Sequence, residues 1–425
     1  VIKNILWMGL STLARVGSGV LVFVLIARVL GPENFGRYMF WFSATYLISL
    51  IANFGLGNLL LREIGRDNSR LGVLTAEALK ARLVISGLLV LVAVLSAPFV
   101  DEPALFLILL LANLLESIAE TYFVAYRANG MYSEEASLVT AMSVLQLAVV
   151  ALAAFVFQSL PAVGLAYLLT RTVQFIAIRV ALRRTLGALP VAPIKNALQL
   201  LKKSWSYALD FALGNLFGHI DSLILRAYAG IGSVGLYQGG MRIFQGGAQL
   251  APILANVFLP SAARSAVNET TKQESAEKIQ LAFIACGISG GLVLTYGAEL
   301  IVSILYGDSF SALASLLPLF GILFFARFFA ASWGLILTAH GHQKFRATST
   351  LVHLLFALVL AILWLPKHGV AGWLWALIFA NLFLALIYMF GAIRYRAVNI
   401  SVKVSAAALC GGLAFLPQLI RAWVE

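Results

Sequence analysis

Charge is what this chain lacks most. Only 11% of its 425 residues are Asp, Glu, Lys or Arg, against about 25% in soluble domains. With 61% hydrophobic residues and a mean hydropathy of +0.94, an ordinary soluble globule is excluded. Cysteine is nearly absent as well. Cys286 and Cys410 sit far apart in apolar runs, without the spacing of a disulfide framework, a metal site or a redox pair. Long polar stretches are missing too, so no loop could fold as a catalytic head. That removes a membrane glycosyltransferase or polymerase. There is no P-loop, no G-x-S-x-G and no His/Cys cluster. No catalytic residue, metal site or cofactor is therefore expected, nor a self-contained ATP-driven pump. Acids are also short, 18 against 30 Lys and Arg, for a net charge of +12. The excess lies in short connections between apolar runs, which fits membrane topology and not a nucleic-acid surface.

What the chain has is apolar runs of the ~20 residues an α-helix needs to cross ~30 Å of hydrocarbon. Spans are predicted at 5–29, 39–61, 82–98, 104–125, 136–158 and 162–180, then at 205–228, 235–259, 279–306, 313–339, 347–365 and 369–392. A weaker thirteenth lies at 402–420 and contains Pro417. The first run is too long for a signal-peptide core and lacks a cleavage site, so it is expected to stay as a span. Lys3, Arg62–Arg82, Arg127, Arg179–Lys203, Arg264–Lys278, Lys344–Arg346 and Arg394–Lys403 carry the basic ends, while the alternate connections carry only Arg37 and Lys367. The positive-inside rule then places the N-terminus in the cytoplasm of a multi-pass protein of the cell membrane.

An internal echo organises the chain. Leu25-Ile-Ala-Arg-Val-Leu-Gly-Pro-Glu-Asn-Phe-Gly-Arg-Tyr38 returns about two hundred residues later as Leu223-Ile-Leu-Arg-Ala-Tyr-Ala-Gly-Ile-Gly-Ser-Val-Gly-Leu-Tyr237. Arg127-Ala-Asn-Gly-Met-Tyr132 is echoed by His340-Gly-His-Gln-Lys-Phe345 at similar spacing. The expectation is an all-α polytopic membrane protein of two six-helix bundles related by pseudo-two-fold symmetry, 12 core helices with a 13th. Residues 1–184 form the first bundle and 205–393 the second, joined by a linker with an interfacial helix at 185–204 and followed by an extra helix at 394–425. Six spans per half keep both halves in one orientation, a parallel repeat known among secondary transporters.

Function must then be read from polar groups at membrane depth. Arg15, Arg171 and Arg327 fall near mid-span; Arg226 and Arg242 lie nearer span ends; Glu116 and Glu120 share a face of span four; Asp210 and Asp221 lie on span seven. Placed against lipid, a central Arg or Asp costs roughly 2.5–3.5 kcal/mol. These nine charges together would cost on the order of 25 kcal/mol, more than a typical stability of about 5–15 kcal/mol. They must line an aqueous cavity or pair. Two readings stay open for the acids: interhelical ion pairs (Glu116 and Glu120 with Arg15 or Arg171, Asp221 with Arg226 or Arg242), or coupling to Na⁺ or H⁺. Arg15, Arg171, Arg327 and Arg242 are the candidates for a cationic cavity, which an anionic, phosphate-bearing substrate requires because Arg offers paired donors to phosphate oxygens.

The stretch Ala27–Tyr38 resembles the first-loop signature of the polysaccharide transporter family, the O-antigen and lipid-linked oligosaccharide flippases of the multidrug/oligosaccharidyl-lipid/polysaccharide exporter superfamily. Phe54-Gly-Leu-Gly57 before Arg62-Glu63, Asp221 in His-Ile-Asp-Ser-Leu-Ile-Leu, Gly235-Leu-Tyr with Arg242, Tyr306-Gly-Asp-Ser-Phe310 and Leu337-Thr-Ala-His-Gly341 follow in the family's order. The resemblance implies a V-shaped cavity between the bundles. It also implies transfer of undecaprenyl-pyrophosphate-linked oligosaccharide from the cytoplasmic to the outer leaflet by alternating access. Arg15 would be the position matching the pyrophosphate-binding arginines of the lipid II relatives. Partners would be the lipid-linked glycan, membrane lipids and glycan-assembly proteins, with the protein a monomer. The alternative is a cation-coupled multidrug or metabolite extruder of the same fold.

Overall fold

The computed structural model describes the backbone of residues 2–216, 218–265, 269–395, 398, 401–415 and 417; the side chains of residues 2–13 and of a few others, including Asp210, lie outside the described residues. Among the described residues there are helices and no strands. Two compact units divide the chain, Val1–Ala227 and Tyr228–Glu425.

In the first unit, α1 (Ile2–Asn53) carries spans one and two as a single 52-residue element broken at Gly31. There φ is 75° and ψ is 171°, a region essentially closed to residues with a Cβ, and Pro32 opens the next helix with its fixed φ. Span two ends at Asn53, not at 61. Phe54 and Gly55 take positive φ, and α2 (Leu56–Arg66) leaves in a new direction. Its Leu56, Leu59, Leu60 and Ile64 are buried while Arg62 and Arg66 are exposed, so it is an amphipathic helix beside the bundle. An Asx turn, Asp67 accepting from the Ser69 amide, leads into α3 (Leu71–Ser96). Span three thus starts eleven residues before the predicted 82. Then come α4 (Pro103–Ala128), α5 (Tyr132–Phe157), α6 (Leu160–Leu186), α7 (Ile194–Leu216) and α8 (Ile220–Ala229).

The predicted linker at 185–204 is only partly a linker. Residues 194–204 are the start of α7, and they belong to the first unit because α7 packs on α1, α2 and α3. Asn196 donates to Glu77 at 3.0 Å, Ser204 donates to the Phe54 carbonyl at 2.8 Å, and the Tyr207 backbone lies against Gly55. The division between units therefore falls at 227/228 and not at the loop.

The second unit holds α9 (Ile231–Ala248), α10 (Leu250–Ser265), α11 (Glu269–Tyr296), α12 (Ala298–Leu305), α13 (Ser311–Ala339), α14 (Gln343–Arg394) and α15 (Val402–Ala414). Spans seven, eight and nine are each broken into two helices; span eight breaks at Gln249, three residues before Pro252, whereas Pro318 leaves α13 continuous. α14 contains spans eleven and twelve with its break at Gly369. Among the described residues eight helices are long and apolar enough to cross a membrane, α1 and α14 each carrying two predicted spans; α15 covers the start of the thirteenth, and the end of the span predicted at 402–420 lies outside the described residues.

The repeat is written in the backbone of each unit. Gly230 (φ 83°, ψ 172°) reproduces the conformation of Gly31, and Tyr38 and Tyr237 are both buried beyond the turn. After span four the Gly130 amide donates to the Arg127 carbonyl and Met131 to Tyr126; after span ten the Gly341 amide donates to Thr338 and His342 to Leu337. These are the same helix-ending bonds with a positive-φ glycine in each. Each unit also has one central helix. The apolar stretches of α4 and α13 are both 61% buried, more than those of the other long apolar helices, as a six-span repeat requires. α13 approaches α11 closely enough that a Cβ on Gly321 would lie 2.5 Å from the Gly291 carbonyl oxygen. Its Phe320, Phe324 and Phe328 pack at an angle or edge-on against Tyr237, Phe244 and Phe283.

Candidate functional site

Two intramembrane acids of the first unit, Glu116 and Glu120, are engaged by arginines. Glu116 on α4 pairs with Arg171 on α6, with Nη2 and Oε2 3.2 Å apart. The same Arg171 donates to the Tyr167 hydroxyl at 2.9 Å and to Gln174 Oε1 at 2.7 Å, and its guanidinium lies 4.9 Å from the Tyr167 ring centroid. One turn along α4, Glu120 accepts from Arg127 Nη1 at 3.0 Å. Arg127 Nε also donates to both carboxylate oxygens of Glu135, at 2.9 and 3.1 Å. Periodicity explains the arrangement: Glu116 and Glu120 are i and i+4 on one helix face, and Arg127, seven residues beyond Glu120 on the same helix, returns to that face.

Arg82, a connection residue by hydropathy, is fully buried. It donates to the Ser117 carbonyl and, at 3.3 Å, to Asn53 Oδ1, stapling α3 to α4 and to the end of span two. Leu71, Leu74, Ala78 and Arg82 at helical spacing carry the signal that α3 already runs there. Two other groups have no signal in the local sequence. Glu135 is 4% exposed. Tyr46 bonds Asn215 Oδ1 at 3.2 Å and stacks against His219 with ring centroids 4.1 Å apart.

The predicted cavity cations fare differently. Arg171 is paired with Glu116, one of the two readings left open for it. Arg15 is exposed on α1; among the described residues its side chain has no ion pair or hydrogen bond, and Glu135 is the acid within its electrostatic range. Arg327, exposed on α13, likewise has neither among the described residues; His353 is the titratable group near it. Arg242 on α9 is held by two amides, Gln245 at 3.1 Å and Gln238 at 3.4 Å. Of the acids on span seven, Asp210 lies outside the described side chains. Asp221 is 3% exposed and accepts from the Ser222 amide at 2.7 Å. Arg226 pairs with Asp101 and sits over the rings of Phe40 and Trp41, at 4.1 and 5.8 Å from their centroids.

Comparison with known proteins decides the family. A family model described as polysaccharide biosynthesis protein matches residues 1–265. The chain belongs to that family. No curated protein matches its sequence. Among solved structures, this member of the polysaccharide biosynthesis family superposes on an inward-facing multidrug resistance MATE transporter of the MOP superfamily. The TM-score is 0.72 at 15% identity, over 95% of this chain and 98% of that one. The lipid II flippase MurJ, in an inward closed conformation, gives 0.66 at 14% identity, over 99% and 100%. A point mutant of the Vibrio cholerae MATE transporter VcmN gives 0.57 at 16% identity, over 92% and 96%. The family member thus has the helical fold of MOP-superfamily transporters and is a multi-pass membrane protein.

Proposed function

We propose that this protein is a flippase that moves an undecaprenyl-pyrophosphate-linked oligosaccharide from the cytoplasmic to the outer leaflet by alternating access, for surface polysaccharide assembly. One observation carries the reading: Glu116 and Glu120 are each engaged by an arginine, while Arg15 and Arg327 have no ion-pair partner among the described residues. A substrate phosphate would supply the missing anion, and guanidinium groups bind it with paired donors. Arg242, which donates to the side-chain amides of Gln245 and Gln238, would add to the same function. An extruder of organic cations needs the reverse, free acids and aromatic faces. For coupling to Na⁺ or H⁺ the candidate acids are Asp210, Asp221, Glu116 and Glu120.

The membrane is the cytoplasmic one, with the N-terminus inside, by the distribution of Lys and Arg. The partners are the lipid-linked glycan and the enzymes that assemble it, and the working unit is one chain. The decisive experiment measures glycan export in cells and in reconstituted vesicles for Arg15→Ala and Arg327→Ala. Both should fall severalfold or more with expression unchanged. Wild-type export by both variants refutes the charged-site mechanism. Vesicles that accumulate drugs but do not translocate lipid-linked glycan establish the extruder instead.

A further inference from the structure

A second basic cluster lines a cavity of about 310 Å³ at the basic end of the first unit. That volume is at the low end for small-molecule pockets, roughly 300–1,000 Å³. Lys80 of α3 and Arg179 and Arg183 of α6 line it, with no acid among the lining residues. None of the three cations has an ion pair or hydrogen bond among the described residues. Arg179 and Arg183 are i and i+4 on one helix face, a like-charge spacing that destabilises a helix unless an anion intervenes. At the back stands Tyr122, 7% exposed and within electrostatic range of Arg179.

The loop after α6 completes the cavity. Gly187, at φ 78°, ends the helix; Leu189 then packs on the core of the unit, and Pro190 lies beside Gly72. The rim is apolar, with Leu83 52% and Val191 97% exposed. Depth matters here. Lys80 precedes the continuous apolar part of α3, and Arg183 stands three residues before the end of α6 at Leu186. By the charge rule this is the cytoplasmic boundary, where lipid phosphates lie.

We propose that this cavity binds the phosphate headgroup of an anionic phospholipid of the cytoplasmic leaflet, with Arg179, Arg183 and Lys80 on the phosphate and an acyl chain along Leu83. Basic pockets between helices on that side take such headgroups. A free inorganic phosphate would use the same cations but gains nothing from the apolar rim. The site does not depend on the flippase reading.

The test uses the purified full chain in detergent, with lipid retention read by native mass spectrometry and thermal stabilisation measured in parallel. The probes are phosphatidylglycerol, phosphatidylcholine and inorganic phosphate. Phosphatidylglycerol should be retained and should stabilise the wild type, and the other two should not. Lys80→Gln with Arg183→Gln should weaken retention roughly thirtyfold if each cation contributes at the level usual near a membrane surface. Both residues are exposed, so folding should survive. The control pair Arg62→Gln with Arg66→Gln, exposed cations outside the cavity, should leave retention intact. The proposal is overturned by equal retention in the cavity variant, by equal loss in the control pair, or by phosphatidylcholine or inorganic phosphate matching phosphatidylglycerol.

Discussion

Replacing Arg127 by Met should be the most damaging single change in the turn between α4 and α5. Arg127 stands in the last turn of α4 and Glu135 in the first turn of α5, each at the helix end its charge favours. The arginine side chain is 19% exposed, that of Glu135 6% and that of Glu120 29%. Removing it strands two carboxylates. Breaking a buried pair costs about 3–5 kcal/mol, and the better-exposed Glu120 adds little, since screened pairs contribute about 0–1 kcal/mol. Glu135→Gln should cost less, about 1–2 kcal/mol, because Arg127 keeps Glu120 and the amide keeps an acceptor. Glu120→Gln should cost under about 1 kcal/mol. For a unit of this size, 1 kcal/mol moves Tm by roughly 2–4 °C. Thermal unfolding of the purified protein in detergent should therefore show Arg127→Met lower by about 6–20 °C and Glu135→Gln by about 2–8 °C. Adding Glu135→Leu to Arg127→Met removes the stranded charge and should recover part of the loss. Equal harm from Glu120→Gln or Glu135→Gln, or a double variant that unfolds no later than the single one, would show that stranded carboxylates are not the cause.

Gly55→Ala should be poorly tolerated, since the new Cβ would lie 2.3 Å from the Tyr207 backbone at φ 65°; expression as a monodisperse peak should drop sharply, and wild-type behaviour would refute the close α2–α7 approach. Gly31→Ala meets no atom within 4 Å and should cost only the backbone term, of order 1–3 kcal/mol, read as a Tm shift. Gly240→Ala would place a Cβ 2.3 Å from the Phe320 ring, a side chain able to rotate, so its cost should be that of overpacking, about 1–3 kcal/mol. Arg226→Ala loses Asp101 and two aromatic faces, and should destabilise by about 1–2 kcal/mol in the same assay.

The long apolar helices were legible because apolar runs of membrane length need no tertiary context, and the Gly31 and Gly230 turns because glycine takes that backbone region most readily. Helix starts were less legible. The first turns of α3 and α7 mix Lys and Arg with Leu, so hydropathy places the spans at 82 and 205 where the helices begin at Leu71 and Ile194. That displacement hid Arg82, whose burial depends on α4 and not on its own neighbours. Glu116 with Arg171 was among the expected pairings. Arg127 as partner of Glu120 was not, because α4 runs on to Ala128 and carries a residue assigned to the turn. Whether a given arginine is cancelled depends on which faces meet, and a single sequence does not specify that.

The break at Gly31 has a consequence for how the chain enters the bilayer. One residue separates two helices that together run 52 residues, so the connection has almost no length to spare. Neither span can be threaded, delayed or inverted without the other. The pair must partition as a single hairpin, and the strongly apolar first span can carry across a second one whose far end holds Asn53 and the turn to α2. Residues inserted beside this glycine, by lengthening the connection, would therefore act first on biogenesis, as a fraction of chains with wrong topology.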